Sequence, residues 1–394
     1  MISLDTAEKA LKNVYLGVVS EQLNLGTNAF YAKLQQTTAD IFGKEIIKLA
    51  SYGVNGGIGA GKETDALPRA GGNNYAQFRV ELKNLFGTIE ITDKAIRASE
   101  GTSGAFVNLL NAEMEGLLRA SKHNFGRMLY GNGTGKIAGI SFIDPNKVVG
   151  LTVGNHSALC EGLIIDIIAQ DDTVLVKQAR ILKYDRDNHY VVLDKQPSAI
   201  NPEWNTYMFV QNSYNNELTG LGSIFDESSK LYGLERADNE WLKPQRYVLG
   251  GTQISSAIVQ AGLDETDLRF GSTPDIIISS YGLKRNMAEY LMLNRTNLDY
   301  MNLEGGYKAM SFSGIPWVSD KFVENGSVYL LNTADFKLHQ LCDWRWLEGE
   351  NGKVLHQVPG KAAYSATLVK YADLICDRPC GQAKFTGFNE TAIF

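Results

Sequence analysis

Apolar residues recur at every third and fourth position between 103 and 130. Phe106, Val107, Leu110, Met114, Leu117, Leu118, Phe125, Met128 and Leu129 line one face, and Ser121 falls on it too. The spacing predicts an amphipathic helix, capped by Thr102 or Ser103 and stopped at Gly131. At the helical rise it would run roughly 40 Å, long for a globular helix and suited to a strut across a flat molecule. Upstream the period changes to two. Tyr75, Gln77, Arg79 and Glu81 alternate with Ala76, Phe78, Val80 and Leu82, and 45–52 is also strand-like. Between these runs lies Gly53-Val54-Asn55-Gly56-Gly57-Ile58-Gly59-Ala60-Gly61-Lys62, then a polar stretch ending in Gly71-Gly72-Asn73-Asn74. The pattern predicts a long hairpin with a large glycine-rich tip. A connection of that length without a core of its own is usually functional, and needs another chain to support it if it is to be ordered.

The flanking segments follow other patterns. Residues 5–50 read as helical, with Leu11, Val14, Tyr15 and Val18 in one piece and Phe30, Leu34, Ile41 and Phe42 in a second. They carry too few large apolar side chains for a core, so an arm lying on something else is expected. Residues 148–212 hold five short candidate strands (148–153, 163–169, 174–184, 190–193 and 206–211), which predicts a small barrel or sandwich. Residues 218–394 are mixed. Helices are expected at 254–261 and 283–293, and strands at 274–278, 307–312, 315–318, 328–331 and 363–375.

Composition narrows the function. The chain has 394 residues, enough for two or three domains, and its 44% hydrophobic and 21% charged residues are those of a folded protein. Glycine is frequent (39) and proline scarce (9), which favours turns and hairpins. A net charge of -6, without a basic stripe in the sequence, argues against a protein that grips nucleic acid; one beside DNA would enclose it without clamping it. Cys160, Cys342, Cys376 and Cys380 are too irregular for a disulfide scaffold. No run reaches the eighteen apolar residues of a membrane helix, and 1–10 lacks the apolar core of a secretion signal.

The motifs with possible chemistry fail on context. Gly56 to Thr64 imitates a phosphate loop, but Glu63 stands where a magnesium-binding hydroxyl belongs, and Leu67-Pro68 follows instead of a helix. Gly131-Asn132-Gly133-Thr134-Gly135-Lys136 follows a helix, whereas an anion site needs to precede one. Asp185, Asp187 and His189 lack the later ligands of a calcium loop and read as a hairpin turn. Cys376-Asp377-Arg378-Pro379-Cys380 has no second cysteine pair to complete a zinc site. The five histidines are scattered, with His123 expected on the polar flank of the long helix. Trp317, Trp344 and Trp346 read as core or interface anchors. No catalytic, cofactor or metal residues are expected, and the chain is read as a non-enzyme.

The order of parts then becomes informative: arm, long hairpin, long helix, β-rich module, mixed terminal domain. It resembles the tailed-bacteriophage major capsid proteins of the Hong Kong 97-type fold. Stretches adding to the resemblance are Asn13-Val14-Tyr15, Glu21-Gln22-Leu23-Asn24, Gly43-Lys44, Leu129 to Gly135, Tyr232-Gly233-Leu234-Glu235-Arg236, Gly314 to Asp320 and Asp343-Trp344-Arg345-Trp346-Leu347. The resemblance implies an α+β capsid fold with an N-terminal arm (1–44), an extended loop over a neighbouring subunit (45–92) and a peripheral domain (93–147) with spine helix 103–130. It further implies a β-barrel-like insertion (148–212), an axial domain (218–362) and a C-terminal return to the peripheral domain (363–394). Gly53, Gly57, Lys62, Arg69, Phe78 and Arg79 would serve the intersubunit loop; Phe106, Leu110, Met114, Leu117 and Met128 would serve the spine. The implied partners are other copies in pentamers and hexamers, a separate scaffolding protein, a portal and decoration proteins. The shell would be assembled in the host bacterial cytoplasm and enclose double-stranded DNA in the virion, with no membrane. The rival is the shell of an encapsulin-like cellular nanocompartment.

Overall fold

The computed structural model describes residues 28–63, 66–94, 103–152, 156–199, 205–294, 300–302, 308–349 and 353–391, with backbone alone for 103–112, 300–302 and 308. Leu11, Val14, Tyr15, Val18 and Thr102, and the side chains of Ser103, Phe106 and Leu110, lie outside the described residues.

The long helix, Ser103–Met128, lies against a five-stranded sheet. At its centre Ala363–Cys376 pairs antiparallel with Phe336–Trp346 and with Lys83–Thr92; Gln35–Thr37 adds in parallel beside Phe336–Trp346, and His356–Gln357 completes the sheet. Met114, Leu118, Phe125 and Met128 of the helix, with Leu129 just past its end, share a core with Leu85, Ile89, Ala366, Leu368 and Leu374 of the sheet. Gly87 sets the approach: a Cβ there would sit 2.9 Å from Leu117 Cδ1 and 3.1 Å from Ser121 Oγ. His123 is half-buried, its ring 5.1 Å from that of Phe322.

A second sheet has seven strands in the order Gln245–Thr252, Ala383–Phe388, Val328–Leu331, Ile276–Ser279, Ile315–Ser319, Lys308–Phe312, Tyr300–Asn302. Ile276 and Ile278 point into the core beneath the long helix. Ile277 points the other way, onto Leu283 and Met287 of the helix Tyr281–Leu293 and Val259 and Leu263 of the helix Ser256–Phe270. Both faces are covered, which is why this strand reads as an unbroken apolar run. Ser255 and Ser280 cap these two helices, and Gly271, at φ +55°, ends the first.

The third part is a closed barrel of Lys136–Ile143, Val148–Leu151, Ile164–Ala169, Val174–Asp185, Tyr190–Leu193 and Thr206–Val210. Side chains fill it, among them Val149, Ile165, Ile167, Ala179, Val191 and Met208.

Several boundaries differ from the sequence expectations. Ile41 and Phe42 are not helical: the helix is only Ala29–Lys33, and Ile41–Phe42 pairs with Ile46 and Glu45 in a tight hairpin. Backbone pairing of Gln35–Thr37 with Phe336–Trp346 outweighs a weak helical period. Residues 28–34 do not lie free, because Phe30 packs edge-on to Phe336 (5.3 Å) and Tyr31 to Phe125 (5.2 Å) within the chain's own core. The expected loop 45–92 ends at Glu81; Lys83–Thr92 leaves it for the five-stranded sheet. The barrel begins at Lys136, since the unpredicted strand Lys136–Ile143 closes it against Thr206–Val210 and Val148–Leu151. The helix expected at 254–261 runs to Phe270. The expected 362/363 boundary is crossed twice. Phe336–Trp346 joins the sheet of the long helix, and Ala383–Phe388 returns to the seven-stranded one, in each case to pair otherwise open strand edges.

Candidate intersubunit surfaces

The hairpin is built in two regimes. Glu45–Tyr52 and Asn74–Glu81 pair without a break from Glu45↔Glu81 to Tyr52↔Asn74. At the base, Ile46, Ala50 and Phe78 are buried against Leu231, Tyr232, Leu242 and Ile375. The Trp241 ring stacks on both Tyr52 (5.0 Å) and Phe78 (5.6 Å). Lys48 Nζ donates to both carboxylate oxygens of Asp377 at 2.5 and 2.7 Å, and the main-chain N–H of Arg79 donates to the Tyr232 carbonyl at 3.1 Å. Beyond Gly53, at φ +65°, the described residues make no strand pairs until Asn74. Gly57 and Gly71 cross in backbone contact that any Cβ would block, and Asn55 accepts from the Gly57 N–H at 3.0 Å. Beyond Gly53 the stretch exposes apolar side chains: Val54 before that crossing, and Ile58 (83%) and Leu67 (92%) past it. Such side chains meet water unless another surface covers them.

The residues expected in the intersubunit loop therefore divide. Gly53, Gly57, Lys62 and Arg69 belong to the exposed stretch. Phe78 does not: it is fully buried within its own chain, because strand alternation turns it toward Tyr232 and Trp241. Arg79 sits at the base, its side chain 3.8 Å from Glu45. Of the spine residues, Met114 and Met128 are buried and Leu117 half-buried against the sheet.

Burial reveals polar groups that sequence reasoning missed. Lys370 is wholly enclosed, donating to Asp343 (2.7 Å) and Gln340 (2.8 Å) between the rings of Phe125 and Trp344. Burial pushes its ammonium pKa down, opposed by Asp343. Three positions along the same strand, burial pushes Asp373 up to about 6, although the Thr219 N–H and hydroxyl and the Leu374 N–H hold its carboxyl oxygens. His339 is buried with Nδ1 against the Ala39 carbonyl (3.1 Å), and burial lowers its pKa. The sequence signal for Lys370 and Asp373 was their place inside the mostly apolar run 368–375; none marked His339.

The look-alike motifs stay apart from chemistry. Lys62 is in the tip, and the next described element after it is the strand Asn74–Glu81, not a helix; Lys136 opens a barrel strand. Asp185 and His189 flank a turn in which Asp185 Oδ1 accepts from the Asn188 N–H at 3.0 Å. Cys376 and Cys380 are buried free thiols whose pKa burial raises. Among the described residues there is no group of three His, Cys, Asp or Glu side chains that could hold a metal, and no helix long and apolar enough to cross a membrane.

No protein-family model matches the chain, and no curated protein matches it. Solved structures do. The capsid asymmetric unit of cyanophage A-1(L) is 11% identical over 94% of this chain and 93% of that one, with a TM-score of 0.56. The holo-SrpI encapsulin complex of Synechococcus elongatus PCC 7942 is 10% identical over 94% and 91%, with a TM-score of 0.47. The capsid of Myoviridae phage XM1 is 8% identical over 92% of each chain, with a TM-score of 0.45. At these identities the likeness is one of backbone path, and it rests on the first of the three.

Proposed function

We propose that this chain, whose backbone is the Hong Kong 97-type capsid fold, is the major capsid protein of a tailed bacteriophage, a structural protein that builds an icosahedral shell around double-stranded DNA. The observation carrying this reading is the hairpin, locked to its own subunit at the base and exposing Val54, Ile58 and Leu67 beyond it. A surface of that kind fits a neighbouring copy, where cover removes apolar area from water and gives unpaired backbone groups partners. Many modest contacts of this sort add by multivalency, so a shell is stable although each contact is weak.

In this reading the long helix and five-stranded sheet form the peripheral domain, and the seven-stranded sheet forms the axial domain that meets its copies in pentamers and hexamers. Gly53, Gly57, Lys62 and Arg69 serve the loop that lies over a neighbour. A separate scaffolding protein and a portal complete the head, which assembles in the host cytoplasm. The net charge of -6 fits enclosing DNA without clamping it.

Electron microscopy of the purified protein tests the reading. Closed shells, pentamers or hexamers are expected; a persistent monomer ends it. Nuclease-protected DNA inside particles from infected cells is the phage-head result, and an enclosed protein cargo would assign a nanocompartment instead. Deleting 58–68 is expected to leave a soluble, folded subunit with impaired shell formation, and normal particles from that deletion would remove the loop's role.

A further inference from the structure

The barrel has no task in the reading above. It is closed, so it offers no open strand edge to a partner, and its contacts must run through outward side chains. Along Val174–Asp185 half of the exposed ones are cationic and none is acidic: Lys177, Arg180 and Lys183 are exposed, with Gln178 and the apolar Val174 and Leu182 (55%) among them. The buried Asp166 fixes this display by accepting from the Gln178 N–H (2.8 Å) where that residue sits at φ +51°, which leaves Lys177 and Gln178 exposed in succession. Two more ammonium groups join the strip. Lys195 Nζ donates to the carbonyls of Lys177 (3.2 Å) and Gln178 (2.6 Å), and Lys147 Nζ to that of Asp194 (2.7 Å). Carbonyls hold these cations in place without neutralising them. Acids beside the strip include Asp194, which accepts the Arg180 main-chain N–H, Asp185, 3.8 Å from Lys183, and exposed Glu161, next to Gly162, where a Cβ would lie 3.7 Å from the Arg180 guanidinium. Among the described residues Lys147, Lys177, Arg180 and Lys195 enter no ion pair.

The chain is acidic overall, so a second copy carries the complementary charge. On the helix Ser256–Phe270, Asp264, Asp267 and Leu268 (82%) are exposed at i, i+3 and i+4, one face of acid beside leucine. Asp264 takes the Gln260 amide at 2.8 Å, and neither aspartate has a cationic partner among the described residues. Among the described residues Glu90, Glu227, Glu235 and Glu324 each already face a lysine or arginine; exposed Glu113 and Glu115 do not, and what marks out the Asp264–Asp267 face is its exposed leucine, a match for Val174 and Leu182 on the strip.

We propose that the cationic strip of the barrel docks on the Asp264–Asp267–Leu268 face of a second copy, tying subunits together outside the hairpin contact. This rests on the shell reading. Charge reversal in assembling protein tests it. Lys177→Glu with Arg180→Glu, and separately Asp264→Lys with Asp267→Lys, should each lower the shell fraction at moderate salt at least tenfold in sedimentation. The substituted side chains are exposed, so both chains should melt like wild type. The chain carrying all four changes should recover shells. Reversed variants that assemble as well as wild type, or a well-folded four-fold variant that stays unassembled, would overturn the contact while leaving the shell reading intact. A wild type that never assembles overturns both.

Discussion

Asp373 carries the clearest pH dependence at the level of single residues. Its carboxyl is pushed up to about 6 in the folded chain against 3.8 when unperturbed. From about pH 4 to 6 the unfolded chain has released this proton while the folded chain keeps it, so rising pH favours unfolding. A gap of roughly two pH units is on the order of 3 kcal/mol, fully present as stability below pH 4 and lost by about pH 6. Asp373→Asn should flatten that slope in denaturant unfolding at pH 4, 5 and 6; an unchanged slope would mean the group titrates normally. Phe78 offers a test of packing. Fully buried between Tyr232 and Trp241, it should cost about 3–5 kcal/mol on change to alanine. Were Phe78 an intersubunit residue, the variant would instead keep monomer stability and lose assembly.

At the scale of elements, the end of the long helix shows a tertiary cap. Its terminal carbonyls are not closed by a left-handed glycine, since Gly131 is absent from the positive-φ positions. The Leu129, Tyr130 and Gly131 N–H groups close the last turn on the Phe125 (3.2 Å), Arg127 (3.0 Å) and Met128 (3.0 Å) carbonyls, and another segment meets the next two carbonyls: the Leu221 N–H donates to that of Leu129 (2.8 Å) and the Gly222 N–H to that of Tyr130 (3.2 Å). Gly220 and Gly222 make this approach possible, because a Cβ at either would strike the helix-end backbone around Met128 to Asn132. Beside it, the buried Arg127–Glu217 pair ties the same segment to the helix. Gly220→Ala is expected to lower stability by about 1–3 kcal/mol, the range for overpacking, as a drop in denaturation midpoint. The sequence pattern located the helix and its end near Gly131 but not the segment docked there, because the Leu221 and Gly222 N–H groups each lie 92 residues beyond the carbonyl they meet.

For the whole molecule, the barrel is separable by construction. It has its own filled core, and its two ends meet where the Asn215 N–H donates to the Thr134 carbonyl (2.9 Å) and the Glu217 N–H to that of Gly133 (3.3 Å). Replacing 135–214 by a short glycine-serine linker should leave the remaining chain folded, with one cooperative thermal transition and the near-ultraviolet signature of packed aromatics. A molten product would show that the barrel supports the sheets. The two sheets themselves should not separate, since Ile276, Ile278 and Leu331 of one share a core with Leu338, Leu368 and Leu374 of the other.

The sequence by itself determined the local elements whose period is strong. The long helix, the hairpin strands, five barrel strands and the buried isoleucine strand could be read because side-chain alternation is a property of neighbours along the chain. The resemblance to a capsid fold rested on their order. Tertiary structure alone decided what required distant partners. Phe78 became an intrachain anchor because Trp241 and Tyr232 arrive beside it. Lys136–Ile143 became a strand because Thr206–Val210 closes a barrel on it, and Phe336–Trp346 joined the helix-bearing sheet because Ala363–Cys376 pairs with it there. Lys370 and Asp373 acquired shifted pKa values only through burial. Desolvation and strand pairing depend on residues brought from far along the chain, and no local pattern records which ones will meet.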